Sequence, residues 1–254
     1  MNAATPTEPS PTAIELIDVQ FTMNSAEHES SVMGIHWKAA AGEFWVIGGL
    51  LGAGKSTLLS TIAGLHPPVS GAVKMLGIDW TEMTEEASLT QRLKVGLVHA
   101  GGLLLRHLSV AANIALPLRY HHNLMQSDVI PKLHDWLVAT ELELLADRPG
   151  GAVSRHWAQR ASLARACITQ PEILLLDNPL SGLDPQHARW WIQFLERVAL
   201  GHPLLGYRKI TVVVTCDDMT AWRAPGRRYA TLASGHFKVL DGASHLDNWA
   251  TARL

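Results

Sequence analysis

A glycine-rich segment that ends in lysine, serine and threonine is the part of the sequence best suited to bind phosphate. The segment GLLGAGKST occupies residues 49–57, follows an apolar run and precedes a helical pattern, as a P-loop does. Its glycines let consecutive backbone N–H groups curl around phosphate oxygens, and the N-terminus of the following helix favours negative charge. We expect Lys55 to reach the β- and γ-phosphates of a nucleotide and the Ser56 hydroxyl to bind Mg²⁺. The predicted nucleotide-binding residues of this segment are Gly49, Leu50, Leu51, Gly52, Ala53, Gly54, Lys55, Ser56 and Thr57.

A carboxylate at the end of an apolar run forms the second part of the predicted site. The run EILLLD occupies residues 172–177 and predicts a buried strand that ends in Asp177. Ligands of α/β sheets bind at the carboxyl ends of the strands, where Asp177 can hold Mg²⁺ through water. Many buried strands end in aspartate, so this interpretation depends on the P-loop upstream. Together the two segments predict a site for ATP and Mg²⁺, with Ser56 and Asp177 as the metal-binding residues.

Apolar patterns along the chain predict the elements that position these two segments. Strands are predicted over residues 13–21, 31–37, 43–49, 71–77, 94–98, 172–177 and 209–215, with two shorter ones within 228–241. Helices are predicted over residues 56–65 and 185–199, and a longer helical region over about 100–170. Strands that alternate with helices predict a mainly parallel sheet covered by helices, which is the α/β class. The apolar residues of the last helix that are expected in the core are Trp190, Trp191, Phe194, Leu195 and Val198.

The polar, proline-rich start of the chain sets the predicted domain boundary. Residues 1–13 lack an apolar pattern and are expected to form a disordered tail, which leaves residues 14–254 as one domain. The helical region at about 100–170 is expected to form a subdomain beside the sheet.

The composition limits the kinds of partner that the chain can have. Of its 254 residues, 47% are hydrophobic and 17% are charged, which is typical of a folded globular protein. The formal net charge of -2 favours neither nucleic acid nor an anionic membrane surface as the main partner. The only cysteines, Cys167 and Cys216, exclude a disulfide framework and favour a reducing cytoplasm. No signal peptide is recognisable, and polar residues interrupt the apolar stretch 97–118, so we expect any membrane role to depend on a partner.

Four segments in a fixed order resemble the ATP-binding cassette family over about residues 14–245. They are the P-loop, QRASLARA at 159–166 ahead of Asp177, SGLDP at 181–185 behind it, and TVVVT at 211–215. The resemblance implies a P-loop NTPase cassette with antiparallel strands at its N-terminus, a mainly parallel core sheet and a helical subdomain.

The resemblance also implies partners. Two cassettes, identical or different, would face each other head to tail, with ATP between the P-loop of one and the signature helix of the other. The helical subdomain would dock on an integral membrane permease, with residues 100–108 in the contact, so the chain would lie on the cytoplasmic face of the membrane. The segment NIALPLRYH at 113–121 is similar to cassettes that drive lipid transporters of the Mla/MCE type. The loop that would contact the opposite cassette is Ser181, Gly182, Leu183 and Asp184.

Three positions depart from the family pattern where the pattern carries hydrolysis. Asn178 stands where the family has the glutamate that polarises the attacking water, and an amide does not take up that proton at neutral pH. Cys216 stands in place of the histidine that contacts the γ-phosphate, and a thiol is a weak hydrogen-bond donor. Ala100 aligns with the glutamine that touches Mg²⁺ and senses the permease. The resemblance therefore implies that these catalytic positions are degenerate.

Two further departures concern the signature and the adenine contact. The signature LSGGQ aligns with VSRHW at 153–157, so Ser154 is retained while Arg155 and His156 replace the two glycines. Glycines let that helix end approach a γ-phosphate closely, and the larger side chains are expected to prevent it. Met23 aligns with the aromatic residue that stacks on adenine, which predicts weaker nucleotide binding.

These departures leave three functions to compare. The first is a subunit that binds ATP and Mg²⁺ and couples to or regulates a permease, with hydrolysis weak or lost. The second is a working ATPase with rearranged catalytic groups, such as His99 or His156, or one completed by a partner cassette. The third is a soluble P-loop enzyme such as a small-molecule kinase, in which QRASLARA and SGLD have no role. Five changes at mechanistic positions beside intact flanking sequence favour the first.

Overall fold

The computed structural model describes residues 11–24, 29–121 and 126–242, which form ten strands and six α-helices. The strands are β1 (Thr12–Asn24), β2 (Glu29–Ala40), β3 (Phe44–Gly48), β4 (Ser70–Met75), β5 (Ile78–Asp79), β6 (Val95–Val98), β7 (Ile173–Asp177), β8 (Thr211–Cys216), β9 (Arg227–Ala233) and β10 (His236–Leu240). The helices are α1 (Lys55–Ile62), α2 (Glu85–Arg92), α3 (Val110–His121), α4 (Gln126–Ala139), α5 (Arg155–Cys167) and α6 (Pro185–Gly201).

Two sheets confirm the predicted fold class. The six-stranded sheet has the order β10-β9-β3-β8-β7-β6, and all its neighbouring strands are parallel except β10, which runs antiparallel to β9. The second sheet has the order β2-β1-β4-β5 and is antiparallel throughout. The chain is therefore an α/β P-loop cassette with an antiparallel N-terminal sheet.

The strand order brings the two predicted halves of the site to one edge. Strands β3, β8 and β7 are neighbours and their residues are all buried, which their continuous apolar sequences favour in a parallel sheet. The register pairs Gly48 with Cys216 and Asp177 with Thr215. Because these strands are parallel, the P-loop after β3 and the residues after β7 and β8 meet at their carboxyl ends.

The last long helix packs as its pattern predicted. Asp184 is the N-cap of α6 and accepts hydrogen bonds from the backbone N–H groups of Gln186 and His187. Trp191, Phe194, Leu195 and Val198 are fully buried, and Trp190 is partly buried against the same core.

The predicted helical region between β6 and β7 contains helices α3, α4 and α5, but it begins later than expected. Residues 101–109 form an irregular loop, and α3 starts at Val110. Asn113 is fully buried and holds this loop, since its Oδ1 accepts from the N–H of Leu105 and its Nδ2 donates to the carbonyls of Leu105, Leu108 and Ser109. Glycines at 101 and 102 oppose a helix, which explains the difference.

Two elements were not predicted, and one boundary differs. The short strand β5 and helix α2 precede β6; α2 is polar and shows no clear apolar period, although Thr84 caps it by accepting from the N–H of Ala87. Strand β1 begins at Thr12, just inside the predicted tail, while residues 1–10 lie outside the described part. Within the described ranges no helix has the length and apolar character that crossing a membrane requires.

Candidate nucleotide-binding site

The P-loop joins β3 to α1 in a conformation that requires glycine at particular positions. Gly54 is the N-cap of α1 and has a φ of 95°, which side chains other than glycine rarely adopt. A Cβ on Gly49 would lie 2.6 Å from the backbone oxygen of Leu232, so the close approach to β9 excludes any side chain there. The loop sequence therefore fits its path between the sheet and the helix.

A cavity of about 400 Å³ opens between this loop and the carboxyl ends of β7 and β8. It brings together most of the predicted site, although Gly49 and Leu50 do not line it. Leu50 lines a neighbouring cavity with Ser31 and Gly235 instead. The lining residues are Leu51, Gly52, Ala53, Gly54, Lys55, Ser56, Thr57, Ala100, Arg155, Asp177, Asn178, Ser181 and Asp217.

The ammonium group of Lys55 is fully hydrogen-bonded within the protein. Its Nζ lies 2.7 Å from the carbonyl oxygen of Gly49, 2.9 Å from that of Leu50 and 2.8 Å from Oδ1 of Asp217. An ammonium has three N–H donors, so a phosphate oxygen that binds Lys55 must replace one of these partners. Asp217 is the only one of these partners that binds through its side chain, which is 37% exposed. Sequence reasoning missed it, although it directly follows Cys216 at the end of β8.

Asp177 and Ser56 fit the metal-binding role that the sequence predicted. Asp177 is buried, and its Oδ1 accepts a hydrogen bond of 2.9 Å from the hydroxyl of Thr215. Ser56 is exposed and lines the same cavity. Carboxylate and hydroxyl oxygens suit Mg²⁺, which usually keeps water and phosphate as its other ligands. In the described residues no group of three or more His, Cys, Asp or Glu side chains is placed to hold a metal ion.

Asn178 lies in the cavity as a hydrogen-bond donor. Its Nδ2 donates to Oδ2 of Asp217 over 2.7 Å, and its backbone N–H donates to the hydroxyl of Thr215 over 3.1 Å. The residue has a φ of 45°, in the left-handed region that asparagine tolerates better than most residues. Asn178 thus donates a hydrogen bond to a carboxylate, whereas the family pattern has a carboxylate at this position itself.

The other two altered positions also offer no proton acceptor to the cavity. Ala100 lines the cavity with a methyl group, while Cys216 is buried at the end of β8 and does not line it. His99 is half-buried and does not line the cavity either. Burial lowers the pKa of His99, and Asp177 and Arg165 act on it in opposite directions.

Arg155 and His156, the two large side chains of the signature-like segment 153–157, lie in different surroundings. Ser154 is the N-cap of α5, and its hydroxyl lies 3.3 Å from the ring of His156. The His156 ring packs against His187 with centroids 4.1 Å apart, away from the cavity. Burial, followed by His187 and Arg160, lowers the pKa of His156. Arg155, by contrast, lines the P-loop cavity of its own chain.

The predicted dimer-contact loop is only partly in the cavity. Ser181 lines it, Gly182 and Asp184 are exposed, and Leu183 is half-buried. Hydrogen bonding from the backbone N–H of His187 lowers the pKa of Asp184, as expected for a helix cap.

A second cavity of about 500 Å³ shares Ser56 and Thr57 with the first. Phe21, Thr22 and Pro67 also line it, which gives room beside the P-loop for a planar base. The side chain of Met23, the predicted adenine contact, lies outside the described residues.

Residues 32–181 match the family pattern described as ABC transporter, and this is more than half of the chain. The chain belongs to the ABC transporter family.

The relatives of this cassette include amino-acid importers. The methionine import ATP-binding protein MetN of Latilactobacillus sakei is 32% identical over 206 residues, which cover 81% of this chain and 58% of that protein. MetN of Lactobacillus delbrueckii subsp. bulgaricus is 30% identical over 227 residues, with 87% and 63% covered. The cassette therefore spans about three fifths of the length of these relatives. Neither is described as a lipid transporter, so they give no support to the likeness that residues 113–121 suggested.

Solved structures share the fold. The dimeric ATP-binding cassette MJ0796, in a post-hydrolysis state bound to ADP and Pi, matches with a TM-score of 0.78 and 27% identity over 90% of this cassette and 99% of that chain. CbiO1 from Clostridium perfringens, part of the transporter complex cbiONQ, matches with a TM-score of 0.75 and 21% identity over 96% and 92%.

Proposed function

We propose that this chain is the ATP-binding subunit of an ABC transporter, that it binds ATP with Mg²⁺, and that its hydrolytic activity is weak or lost. The observation that carries the proposal is that Lys55, Ser56 and Asp177 line the same cavity. These are the groups that hold a triphosphate and its metal in P-loop proteins. The second cavity leaves room for the base, so the two together fit a whole nucleotide.

Weak hydrolysis follows from what lines the rest of the cavity. Asn178 donates to Asp217, Ala100 has no polar side-chain atom, and Cys216 is buried outside the cavity. A general base typically contributes ~10²–10⁴-fold to the rate. From a typical turnover of ~10 s⁻¹, loss of the base alone leaves as little as ~10⁻³ s⁻¹. Transport driven at that rate is negligible.

A rearranged ATPase is the second candidate, and the geometry favours it less. His99 and His156, the two histidines that could act as bases, do not line the cavity. Asp217 does line it, but both of its carboxylate oxygens already accept hydrogen bonds, from Lys55 and Asn178. A small-molecule kinase is disfavoured by membership of the ABC transporter family.

The proposed partners are an integral membrane permease and a second cassette, identical or different, at the cytoplasmic face of the membrane. Leu103 and Leu105 are 63% and 43% exposed, in the loop that Asn113 holds in place. Two exposed leucines on a rigid loop suit a contact with an apolar partner surface. We also propose that residues 14–254 form one domain and that about residues 100–170 form a helical subdomain within it.

The methionine importers among the relatives favour import of a small molecule over lipid transport. Methionine is therefore the first cargo to test. The choice of methionine rests on relatives that are about 30% identical to this chain over about three fifths of their length.

The phosphate site is tested by titrating the protein with a fluorescent ATP analogue. Lys55→Ala removes the only lysine of the cavity and is expected to weaken binding about tenfold to a hundredfold, as the loss of a charge-assisted hydrogen bond implies. Lys94→Ala is the matched control, because Lys94 is 41% exposed and pairs with Glu172 at the surface. Equal affinities of wild type and Lys55→Ala would remove the basis of the proposal.

The permease contact is tested by copurification in mild detergent. Leu103→Glu and Leu105→Glu are expected to release a membrane protein while ATP binding stays unchanged, because a charge opposes burial in an apolar contact. Leu200→Glu is the control, since Leu200 is 76% exposed at the end of α6. Recovery of no membrane protein with wild type, or an unaffected complex with both variants, contradicts the proposed partner.

A further inference from the structure

We infer that Arg155 binds the terminal phosphate of the ATP held by the P-loop of its own chain, and so makes the site prefer ATP to ADP. The inference rests on the proposed nucleotide binding. It concerns a residue that replaces a glycine of the signature, a segment that the family resemblance assigns to the opposite cassette. The structure instead puts the Arg155 side chain in the same cavity as Lys55 and Asp177.

The path of the Arg155 side chain lies between two glycines. Arg155 is the first residue of α5, and its side chain is exposed toward the cavity. A Cβ on Gly101 would lie 3.8 Å from Nε of Arg155, and a Cβ on Gly182 would lie 3.8 Å from Nη1. The guanidinium therefore occupies the gap between the loop after β6 and the loop after β7, where neither neighbour has a side chain.

The two cations of the cavity differ in how fully their donors are used. The three donors of Lys55 are taken by Gly49, Leu50 and Asp217. Across residues 11–24, 29–121 and 126–242, no hydrogen bond or ion pair involves the guanidinium of Arg155. Guanidinium presents several donors in a plane and can bind phosphate oxygens in pairs. Arg155 can thus bind a phosphate without giving up a protein partner.

The arrangement of the two cavities places Arg155 at the end of the site where the terminal phosphate would lie. Ser56 and Thr57 line both cavities, whereas Arg155 and Asn178 line only the first. A nucleotide whose base occupies the second cavity extends its phosphates along the P-loop toward Arg155. ADP is one phosphate shorter, so it would reach Lys55 but make less use of Arg155.

The charges of the cavity give Arg155 a second effect. Asp177 and Asp217 carry negative charge into the cavity, and Lys55 and Arg155 carry the positive charge. Arg155 adds one positive charge to those of Lys55 and Mg²⁺ in the proposed site, and a triphosphate, which carries more negative charge than a diphosphate, gains more from it. Both the contact and the charge balance therefore favour ATP.

The test measures Kd for fluorescent ATP and ADP analogues at constant Mg²⁺ in five variants and the wild type. Arg155→Ala is expected to weaken ATP binding about tenfold, which corresponds to about 1.4 kcal/mol, and to change ADP binding less than about twofold. Arg155→Lys should restore part of the ATP affinity, because it keeps the charge without the planar donors. Arg106→Ala is the matched control, since Arg106 is exposed on the neighbouring loop and does not line the cavity. Lys55→Ala should weaken both nucleotides.

The outcomes separate this inference from the proposed function. An unchanged ATP-to-ADP ratio in Arg155→Ala, with both affinities reduced in Lys55→Ala, overturns the role of Arg155 and leaves nucleotide binding intact. No reduction for either nucleotide in Lys55→Ala overturns the nucleotide site itself. Arg155→Gln removes the charge at similar length, and circular dichroism checks its fold. A retained ATP preference in a folded Arg155→Gln protein also contradicts the inference.

Discussion

Two walls of the P-loop cavity differ in how closely their residues match the family pattern. The first, the phosphate wall, consists of residues 51–57 and Asp177, which carry the groups proposed to bind a triphosphate and Mg²⁺. The second, the altered wall, consists of Ala100, Arg155 and Asn178, where the family pattern has glutamine, glycine and glutamate. Of the altered positions, these three line the cavity, whereas Cys216 is buried at the end of β8 and His156 packs against His187.

The two walls thus divide the groups proposed for nucleotide binding from the positions that hydrolysis would need. Binding uses backbone N–H groups, one ammonium and a metal-binding carboxylate, none of which must take up a proton. Hydrolysis needs a proton acceptor placed beside the attacking water. In the altered wall, Asn178 donates to Asp217 and so reverses the hydrogen-bonding role that a base requires. A bound nucleotide can still stabilise one arrangement of two cassettes, because differential affinity alone shifts such an equilibrium.

The largest effect within the phosphate wall beyond Lys55 is expected for Asp177→Asn. The amide can still accept from Thr215, but it lacks the charge that attracts Mg²⁺. We expect ATP to bind about tenfold more weakly with Mg²⁺ present, about 1.4 kcal/mol, and as in wild type with a chelator. Asp218→Asn is the control, since Asp218 is exposed and outside the cavity. Equal loss with and without Mg²⁺ means that Asp177 does not act through the metal.

A smaller effect, of opposite sign, is expected where the two walls meet at Asp217. Its carboxylate binds both Lys55 and Asn178, and it competes with phosphate for the lysine. Asp217→Asn should therefore raise ATP affinity up to about fivefold, the equivalent of an exposed ion pair worth ~1 kcal/mol. The same titration measures it. A fall in affinity would show that Asp217 supports the bound nucleotide rather than competing with it.

Acidification should lower the stability of the folded protein, because the pKa values of three histidines are lowered in it. Burial lowers the pKa of His99, next to Ala100, and of His156, next to Arg155. Burial also lowers the pKa of His202, whose Nδ1 accepts from the N–H of Leu204. Below pH ~6.5, the unfolded chain takes up protons that the folded chain does not, so the free energy of unfolding should fall as pH falls.

Urea unfolding at pH 7.5 and pH 5.5 measures this change. His202→Asn keeps a side-chain acceptor for Leu204 and removes one of the titrating groups, so its stability should depend less on pH than that of wild type. A stability that rises on acidification contradicts the stated direction of the three pKa shifts.

The phosphate wall was predictable from sequence because its chemistry lies in contiguous segments. The P-loop carries its lysine and serine within nine residues, and the apolar run before Asp177 fixes the strand that delivers it. The fold class was predictable for the same reason. The adjacency of β3, β8 and β7 was not predicted, because β3 and β8 are far apart in the chain. The polar helix α2 was missed because it contains few apolar residues, and the loop at 101–109 was wrongly predicted as helical because its leucines resemble a helical pattern, while Gly101 and Gly102 oppose a helix.

The substitutions in the altered wall were predictable from sequence, but the contacts that its residues make were not. Asp217 lies 162 residues from Lys55 in the chain, and only the pairing of β3 with β8 brings them together. The direction of Arg155 depends on how α5 packs against the loops that contain Gly101 and Gly182. Local sequence carries no signal for either contact, since each arises from tertiary packing.

The central claim, that this protein binds ATP and hydrolyses it weakly or not at all, is tested most directly by incubating it with labelled ATP and Mg²⁺ and measuring ADP formed per protein. Wild type should turn over at no more than ~10⁻¹ s⁻¹, the rate that remains when loss of the base removes ~10²-fold from a typical turnover. Asn178→Glu should not restore activity, because its carboxylate would lie beside that of Asp217 and its backbone would keep a positive φ that disfavours glutamate. The changes at Ala100 and Arg155 would also remain. Turnover of ~1 s⁻¹ or more, in wild type or in Asn178→Glu, would contradict the account.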